Sequence, residues 1–239
     1  MAKYKNMIGF LIGFGAILLF CFWILFGCDI AWAGVDVIAP IDLNVHYKTS
    51  FFGKKSYTME VMTRNKTGPT ETVQGFCYEI ETRQSGGFKH VAEVSVSPKQ
   101  MTVAKGQRRP FHVKFDLPKN TGKLYVFLMK PIATSGTGNI TITKAVGFTF
   151  GVSHVDKFKP QLNLKAYNVN HLTTVELHNP TPCVIQYNIH GRKGGDYHAE
   201  RGILVGPHKH RELILTSKYD AVIVGFKGYD KLIGYRVEE

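Results

Sequence analysis

Apolar and polar residues alternate with a period of two along most of the chain between residues 37 and 152. A two-residue period places the apolar side chains on one face of a β-strand. In the clearest case, two alternating runs flank the pair Lys105-Gly106, and the apolar positions are Met101, Val103, Phe111, Val113 and Phe115. Because Gly favours a tight turn, this segment predicts strand, turn and strand in a sheet with one buried face.

The same pattern recurs often enough to predict a fold class. Further alternating segments, such as Phe76, Tyr78 and Ile80, are separated by Gly, Pro and Asn turn signals. About seven short strands at this spacing are typical of an immunoglobulin-like β-sandwich. The charged, proline-containing segment 153–160 interrupts the alternation, and strand-sized pieces then resume. We therefore predict an all-β protein with two Ig-like β-sandwich domains, residues 34–153 and 160–239.

Residues 1–33 have the pattern of a secretory leader. Lys3 and Lys5 precede a long apolar run, and the segment ends in small residues at Ala33. Cleavage after Ala33 is one interpretation. A retained membrane anchor through residues 7–27 is a second, because the run is longer than most leaders, and a lipoprotein site at Cys28 is a third. All three place the rest of the chain outside the cytoplasm.

The charge of the chain bears on its partners. The formal net charge is +12, and the basic residues are scattered singly along the predicted strands. Such a distribution indicates a solvated surface in the first place and an acidic protein partner in the second. No recognition motif combines aromatic with basic residues, so we predict no nucleic-acid partner.

Little in the sequence points to catalysis or to a bound cofactor. Cys77 and Cys183 lie on different predicted domains, so we expect two buried free thiols. The histidine cluster His208, His210 and His198 has no acidic or cysteine residue at ligand spacing, and we predict no metal site. Serine in a nucleophile elbow and paired carboxylates are also lacking from the sequence. We therefore predict that the protein is not an enzyme and needs no cofactor.

The segment 139–150 is long for a sandwich strand. Its apolar side chains project to one side, interrupted by Lys144, and they are Ile140, Ile142, Val146, Phe148 and Phe150. One interpretation is a core strand whose apolar row is buried in its own domain. The other is an edge strand whose apolar row and free backbone groups pair with a partner.

Several motifs, in this order, resemble those of the periplasmic pilus-assembly chaperones, the two-domain Ig-like proteins of the chaperone–usher pathway. The resemblance covers essentially all of the chain after the leader. Its motifs are Ser97-Pro98 with Val103-Ala104-Lys105-Gly106, the strand Leu124 to Ile132, the turn Asn179-Pro180-Thr181-Pro182, and Gly206-Pro207.

The resemblance implies a function for the long strand. In that family the last strand of the first domain lends apolar side chains to an incomplete pilin subunit. By position the subunit-binding residues here would be Ile140, Ile142, Lys144, Val146 and Phe148. The implied partners are pilin-like subunits and an outer-membrane usher, in the periplasm. The alternative is a membrane-anchored Ig-like structural component of an envelope secretion or conjugation machine.

The sequence departs from the family at the site that anchors the carboxylate of the subunit. The family uses an Arg on the first strand and a Lys on the donor strand. Here Asn44 stands at the Arg position and Gly147 at the Lys position. Asn44, His46 and Lys48 are therefore the candidate carboxylate anchor. Lys123 stands where the family usually has an acidic residue, which implies altered ion pairing between the domains.

Overall fold

The computed structural model describes residues 35–40, 42–49, 56–66, 68–80, 88–132, 145–227 and 229–238, without the side chains of 229–231. All regular elements in these ranges are strands, as predicted. The first ten are β1 Val35–Ile38, β2 Asn44–Tyr47, β3 Tyr57–Asn65, β4 Glu71–Ile80, β5 Phe88–Lys89, β6 Val94–Ser97, β7 Gln100–Val103, β8 Arg108–Phe115, β9 Thr121–Pro131 and β10 Val146–His154. The other seven are β11 Asn163–Val169, β12 Leu172–His178, β13 Ile185–Lys193, β14 Asp196–Val205, β15 His210–Ile214, β16 Ala221–Phe226 and β17 Tyr229–Arg236.

Strands β1 to β10 form two sheets packed face to face. One has the order β1-β3-β8-β6, and the other has the order β2-β10-β9-β4-β5 with β7 also paired to β4. Alternate side chains of the strands fill the space between the sheets. The largest fully buried ones are Phe111, Phe115, Tyr125, Phe127 and Phe150. This is the sandwich that the two-residue period predicts.

The first described strands change from one sheet to the other. Strand β1 pairs with β3 in antiparallel direction, whereas β2, six residues further on, pairs with β10 in parallel direction. Residues 35–47 thus begin on one sheet and end on the other. The consequence is that β2 covers only the last part of β10.

The predicted turn at Lys105-Gly106 is confirmed. Gly106 has φ of +78°, in the left-handed region that favours glycine. Its N–H donates to the carbonyl oxygen of Asn65 at 2.8 Å, and the Asn65 side chain donates to the carbonyl oxygens of Pro69 and Val103. The turn is therefore held by a fully buried asparagine at the end of the neighbouring strand.

The side of β4 that faces the core is not the one that its alternating aromatic residues indicate. The alternating row Phe76, Tyr78 and Ile80 of β4 is only half-buried, whereas Val73 and Cys77 lie in the core. Both rows of β4 contain apolar residues, so alternation alone does not decide which one faces inward. Pairing decides it, because Cys77 lies opposite the core residue Phe127 of β9.

Strands β11 to β17 form a second sandwich. Its sheets have the orders β11-β12-β15 and β14-β13-β16-β17, and its core includes Val175, Leu177, Tyr187, Val222 and Val224. The structure thus confirms the predicted architecture of two Ig-like β-sandwiches. The last strand of the first sandwich ends at His154, and the first strand of the second begins at Asn163.

A buried asparagine explains the Asn179-Pro180-Thr181-Pro182 motif. Asn179 is fully buried, and its side-chain amide donates to the carbonyl oxygens of Cys183, Val205 and Gly206 at 2.7 to 3.0 Å. Its Oδ1 accepts the N–H and the hydroxyl of Thr181. Because a buried polar group costs free energy unless it is hydrogen-bonded, this asparagine holds the turn in one conformation.

Cys77 and Cys183 are both buried and free, as predicted. Burial raises the pKa of the Cys77 thiol to about 12 and that of Cys183 to about 11. Both thiols are therefore protonated near neutral pH.

The predicted leader or anchor, residues 1–33, lies outside the described residues. Within the described part of the chain, no helix has the length and apolar character that crossing a bilayer requires.

Candidate strand-binding site

Along about half of its length, β10 has a described neighbouring strand on one side only. On one side β10 pairs with β9 from Val146 to His154. On the other side β2 pairs only with Gly151–His154. From Val146 to Phe150, no described strand occupies the second side of β10. We call this stretch the open edge.

The hydrogen bonds to β2 show which backbone groups the open edge presents. Gly151 N–H donates to the carbonyl oxygen of Leu43 at 2.7 Å, and Val155 N–H donates to that of Tyr47 at 2.9 Å. Odd-numbered residues of this strand therefore point their backbone groups toward the β2 side. By the two-residue period, Gly147 and Thr149 point theirs the same way, at the open edge. The open edge thus offers two N–H donors and two carbonyl acceptors.

The apolar side chains of β10 lie on the core side of its sheet. Phe150 is fully buried, and the ring of Phe148 packs on Phe127 at 6.0 Å and on Phe150 at 5.5 Å. Val146 is half-buried and lies opposite Met129. Of the five predicted subunit-binding residues, the structure therefore describes Val146 and Phe148. Ile140, Ile142 and Lys144 lie outside the described residues.

The outer face of β10 carries small residues, namely Gly147, Thr149 and Gly151. A Cβ atom at position 147 would collide with the carbonyl oxygen of Phe127 and lie 2.7 Å from a methyl group of Leu128. The backbone at the predicted lysine position therefore leaves no room for a side chain. Thr149, two residues on, is exposed.

The open edge ends where the second sandwich meets the first, around Val184. Val184 N–H donates to the hydroxyl oxygen of Ser153 at 2.9 Å, and its carbonyl oxygen lies 3.0 Å from Nε2 of His46. Its side chain fills the space over Gly151, where a Cβ atom would collide with it. An ion pair of 2.9 Å between Lys227 and Asp42 also joins the two sandwiches. Sequence reasoning did not single out Val184, Ser153 or Gly151. The one signal in the sequence was the pair Gly147 and Gly151, which lie four residues apart on the same face of the strand.

The predicted anchor residues lie at different distances from the open edge. Asn44 is adjacent to Gly151 in the register, and its Oδ1 is buried without a hydrogen-bond partner among the described residues. His46 donates from Nε2 to Val184, since a carbonyl oxygen only accepts. Burial lowers the pKa of His46, against the opposing effect of that hydrogen bond, so the ring is neutral near pH 7. Lys48 is exposed and lies about 13 Å beyond Asn44 along the strand direction.

Lys123 pairs within its own sandwich. Its ammonium group lies 3.0 Å from a carboxylate oxygen of Glu79 and 3.0 Å from one of Glu93. Burial on its own would lower the pKa of Lys123, but the hydrogen bonds to the two carboxylates raise it. The lysine therefore remains charged and binds β9 to its neighbours.

The histidine cluster considered in the sequence is divided between two sheets. His210 of β15 stacks on His178 of β12 with ring centroids 4.1 Å apart, whereas His198 of β14 lies beside Tyr219. Within the ranges that the structure describes, no three metal-ligating side chains are close enough to share an ion.

Comparisons with known proteins identify the fold. No family model and no curated protein matches the sequence. Solved structures match it over most of its length. The E. coli chaperone DraB is 15% identical with a TM-score of 0.53, over 84% of this chain and 97% of that chain. The complex of Salmonella enterica SafA pilin with the SafB chaperone is 13% identical with a TM-score of 0.55, over 84% of this chain and 95% of that chain.

A third match is the Acinetobacter baumannii CsuC–CsuE complex of a chaperone with a tip adhesion subunit. It gives 10% identity and a TM-score of 0.54, over 85% of this chain and 98% of that chain. Identities this low carry information about the fold alone. The resemblance inferred from the sequence is confirmed at that level: the chain has the two-domain Ig-like fold of the fimbrial chaperones, in a strongly diverged sequence.

Proposed function

We propose that the protein is a periplasmic chaperone that binds fimbrial or pilin-like subunits through the open edge of β10 and delivers them for assembly. The open edge is the observation that carries the proposal. An unpaired strand edge is an aggregation hazard unless a partner uses it. The structural neighbours support the choice of partner, because two of them are complexes of a chaperone with a pilin or a tip subunit.

The open edge suits a guest strand that continues the track of β2. Strand β2 runs parallel to β10 and starts at Asn44. A guest strand laid beside residues 146–150 in the same direction would end against β2. The N–H and carbonyl groups of Gly147 and Thr149 would then pair with its backbone. In this arrangement, Asn44 and His46 lie at the C-terminal end of the guest strand, where the proposed anchor would bind its carboxylate.

The apolar row of β10 would supply the side chains that complete the guest. The row consists of Val146 and Phe148 with Ile140 and Ile142 before them, and Lys144 interrupts it. Each such side chain that becomes fully buried contributes roughly 1.5 to 3 kcal/mol. Phe148 already contacts the core of its own domain, so we assign the larger part to Val146 and the two isoleucines. The proposal includes an outer-membrane usher as a further partner and involves no catalysis.

The test removes one backbone donor from the open edge. Thr149→Pro lacks the N–H that faces a guest, while the hydrogen bonds of β10 to β9 come from even-numbered residues. Proline is tolerated at such positions of an edge strand. Thr149→Ala keeps the N–H and is the matched control. The measurement is co-purification of each variant with a co-expressed pilin-like subunit, together with the thermal unfolding temperature of each variant.

We expect Thr149→Pro to weaken capture about tenfold, through one lost hydrogen bond and the added ring, at nearly unchanged stability. Thr149→Ala should capture the subunit as the unchanged protein does. If Thr149→Pro is stable and captures the subunit normally, the guest does not lie on this edge and the proposal fails.

A further inference from the structure

The second sandwich has an apolar outer face on two adjacent strands. Strands β16 and β17 point Val222, Val224 and Phe226 into the core. The intervening positions of β16 face outward, together with the β17 positions that pair with them. The one polar side chain among these described positions is Arg236, which pairs with Ala221. We call the five apolar positions the β16–β17 face: Ala221, Ile223, Gly225, Leu232 and Gly234. Leu232 is 65% exposed.

The opposite sheet of the same sandwich shows what a solvated face of this protein looks like. Its outward positions on β11, β12 and β15 pair Lys165 with Glu176 and Glu176 with Glu212. Two residues further along the same two strands, His178 pairs with His210. A sheet with one face in water normally has polar residues on that face. The β16–β17 face has no such charged pairs, although Asn188 and His190 of β13 lie beside Gly225 and Ile223. The opposite sheet also exposes apolar side chains, but at its ends: Val169, Leu172 and Ile214.

Two arginines flank one end of the β16–β17 face. Ala221 pairs with Arg236 on one side and with Arg192 on the other, and Arg192 pairs in turn with Tyr197. The two arginine backbones are therefore about 10 Å apart, with only a methyl group between them. Both arginines are exposed, and within the described ranges neither lies in an ion pair. Tyr197 is 66% exposed.

Together these residues line a shallow concavity of about 490 Å³. Its composition is that of the energetically important part of a protein interface, where Tyr and Arg are enriched and Lys, Asp and Glu are depleted. Arginine binds carboxylates with two parallel hydrogen bonds, which an exposed lysine does not match. A second copy of the chain is a poor occupant, because each molecule has a net charge of +12.

We propose that the β16–β17 face binds a protein segment that places carboxylates over Ala221, between Arg192 and Arg236, and apolar side chains against Ile223 and Leu232. The partner is thus acidic at one end of its contact and apolar along the rest. This surface belongs to the second sandwich, and the inference does not depend on the strand bound at the open edge.

The experiment uses the full chain and two synthetic peptides. In the first, two aspartates precede alternating leucines and serines. In the second, lysines replace the aspartates. Backbone amide NMR shifts of Ile223, Gly225 and Gly234 report binding at the face, and a titration gives the affinity. The variants are Arg192→Ser with Arg236→Ser, and Leu232→Ser. Arg211→Ser on β15 is the matched control, because it removes an exposed arginine from the other sheet.

We expect the acidic peptide to shift these amides and to bind about tenfold more weakly to the double arginine variant, through loss of charge-assisted hydrogen bonds. Leu232→Ser should also weaken it, and Arg211→Ser should not. Thermal unfolding checks that each variant is folded. Equal binding of the two peptides, an absence of shifts with the acidic one, or an unchanged affinity of the double variant would overturn the proposal. The proposal would also be overturned if the protein self-associates and Leu232→Ser abolishes this self-association, because a second copy of the chain would then occupy the face.

Discussion

The carbonyl oxygen of Phe127 and the side chain of Leu128 occupy the space where a Cβ atom at position 147 would lie. Gly147 is therefore the residue that lets β10 approach β9 this closely. The family resemblance places a lysine at this position, and the local backbone excludes it. A cation at the open edge would have to come from another residue or require a different pairing of the two strands.

Gly147→Lys should consequently destabilise the first sandwich. We expect a loss of about 1 to 3 kcal/mol, the usual cost of forcing extra atoms into a packed site. Thermal or denaturant unfolding measures it. Thr149→Lys is the matched control, because Thr149 lies on the same outer face and is exposed. Equal stability of the two lysine variants would show that position 147 accepts a side chain.

Asn44 illustrates a residue whose role the sequence predicted only in outline. It lies at the end of the open edge, and its Oδ1 is buried beside Gly151 and Val184 without a described partner. His46, next but one in the chain, is neutral and bonded to Val184. Two of the three residues proposed as a carboxylate anchor thus lack a positive charge near pH 7. Their role in anchoring stays a prediction.

At the scale of the elements, β10 serves two purposes along its length. From Gly151 to His154 it is an interior strand with β2 and β9 on its sides. From Val146 to Phe150, no described strand pairs with its second side. The short β2 sets the boundary between these two parts of β10. The two interpretations that the sequence left open for segment 139–150, core strand and edge strand, both stay predictions, because Gly151–His154 lie beyond that segment.

A substitution at Val146 tests whether its side chain belongs to the core of its own domain or binds the subunit. Val146→Asp should leave the protein folded and abolish capture of the pilin-like subunit, because a half-buried position tolerates a charge better than the fully buried Phe150 does. Ile142→Asp should act in the same way. Co-purification and thermal unfolding are the measurements. Unfolding of both variants would show that the row belongs to the core, and the strand-donation proposal would lose its basis.

Alternation predicted the strands well and their environment less well. The turn at Gly106 and the β-strands around it follow from local residues. The inward face of β4 does not follow from local residues. Phe76 and Tyr78 of its outer row pack against each other outside the core, and Tyr78 also contacts Phe88 of β5. Two apolar rows on one strand give no local signal for the choice. The pairing partner makes it, and pairing is a property of the whole sheet.

At the scale of the whole molecule, the contact between the sandwiches could not be predicted from local sequence. Val184 meets His46 across 138 residues of chain and meets Ser153 across 31. Its N–H, carbonyl oxygen and side chain each have a partner in the first sandwich. Both hydrogen bonds use backbone groups of Val184, which every residue type except proline has. The residue type at position 184 therefore does not predict them. Since the contact lies at the end of the open edge, the proposed guest strand would end there.

This contact should respond to pH through His46. Burial lowers the pKa of its ring from the ordinary 6.5 in the folded protein. Below pH 6.5 the unfolded chain therefore binds more protons at this position than the folded one does. The contribution of His46 to stability is complete above that value and is lost as the pH falls through the folded pKa.

His46→Gln removes this titration and keeps an N–H donor for Val184. We expect the variant to lose less thermal stability than the unchanged protein between about pH 7.5 and about pH 5.5, the range in which histidine titrates. His208→Gln, at an exposed turn, is the control and should follow the unchanged protein. Identical pH dependence of all three proteins would mean that His46 does not link the joint between the sandwiches to pH. A smaller loss in His46→Gln alone would mean that protonation of His46 weakens the joint between the sandwiches.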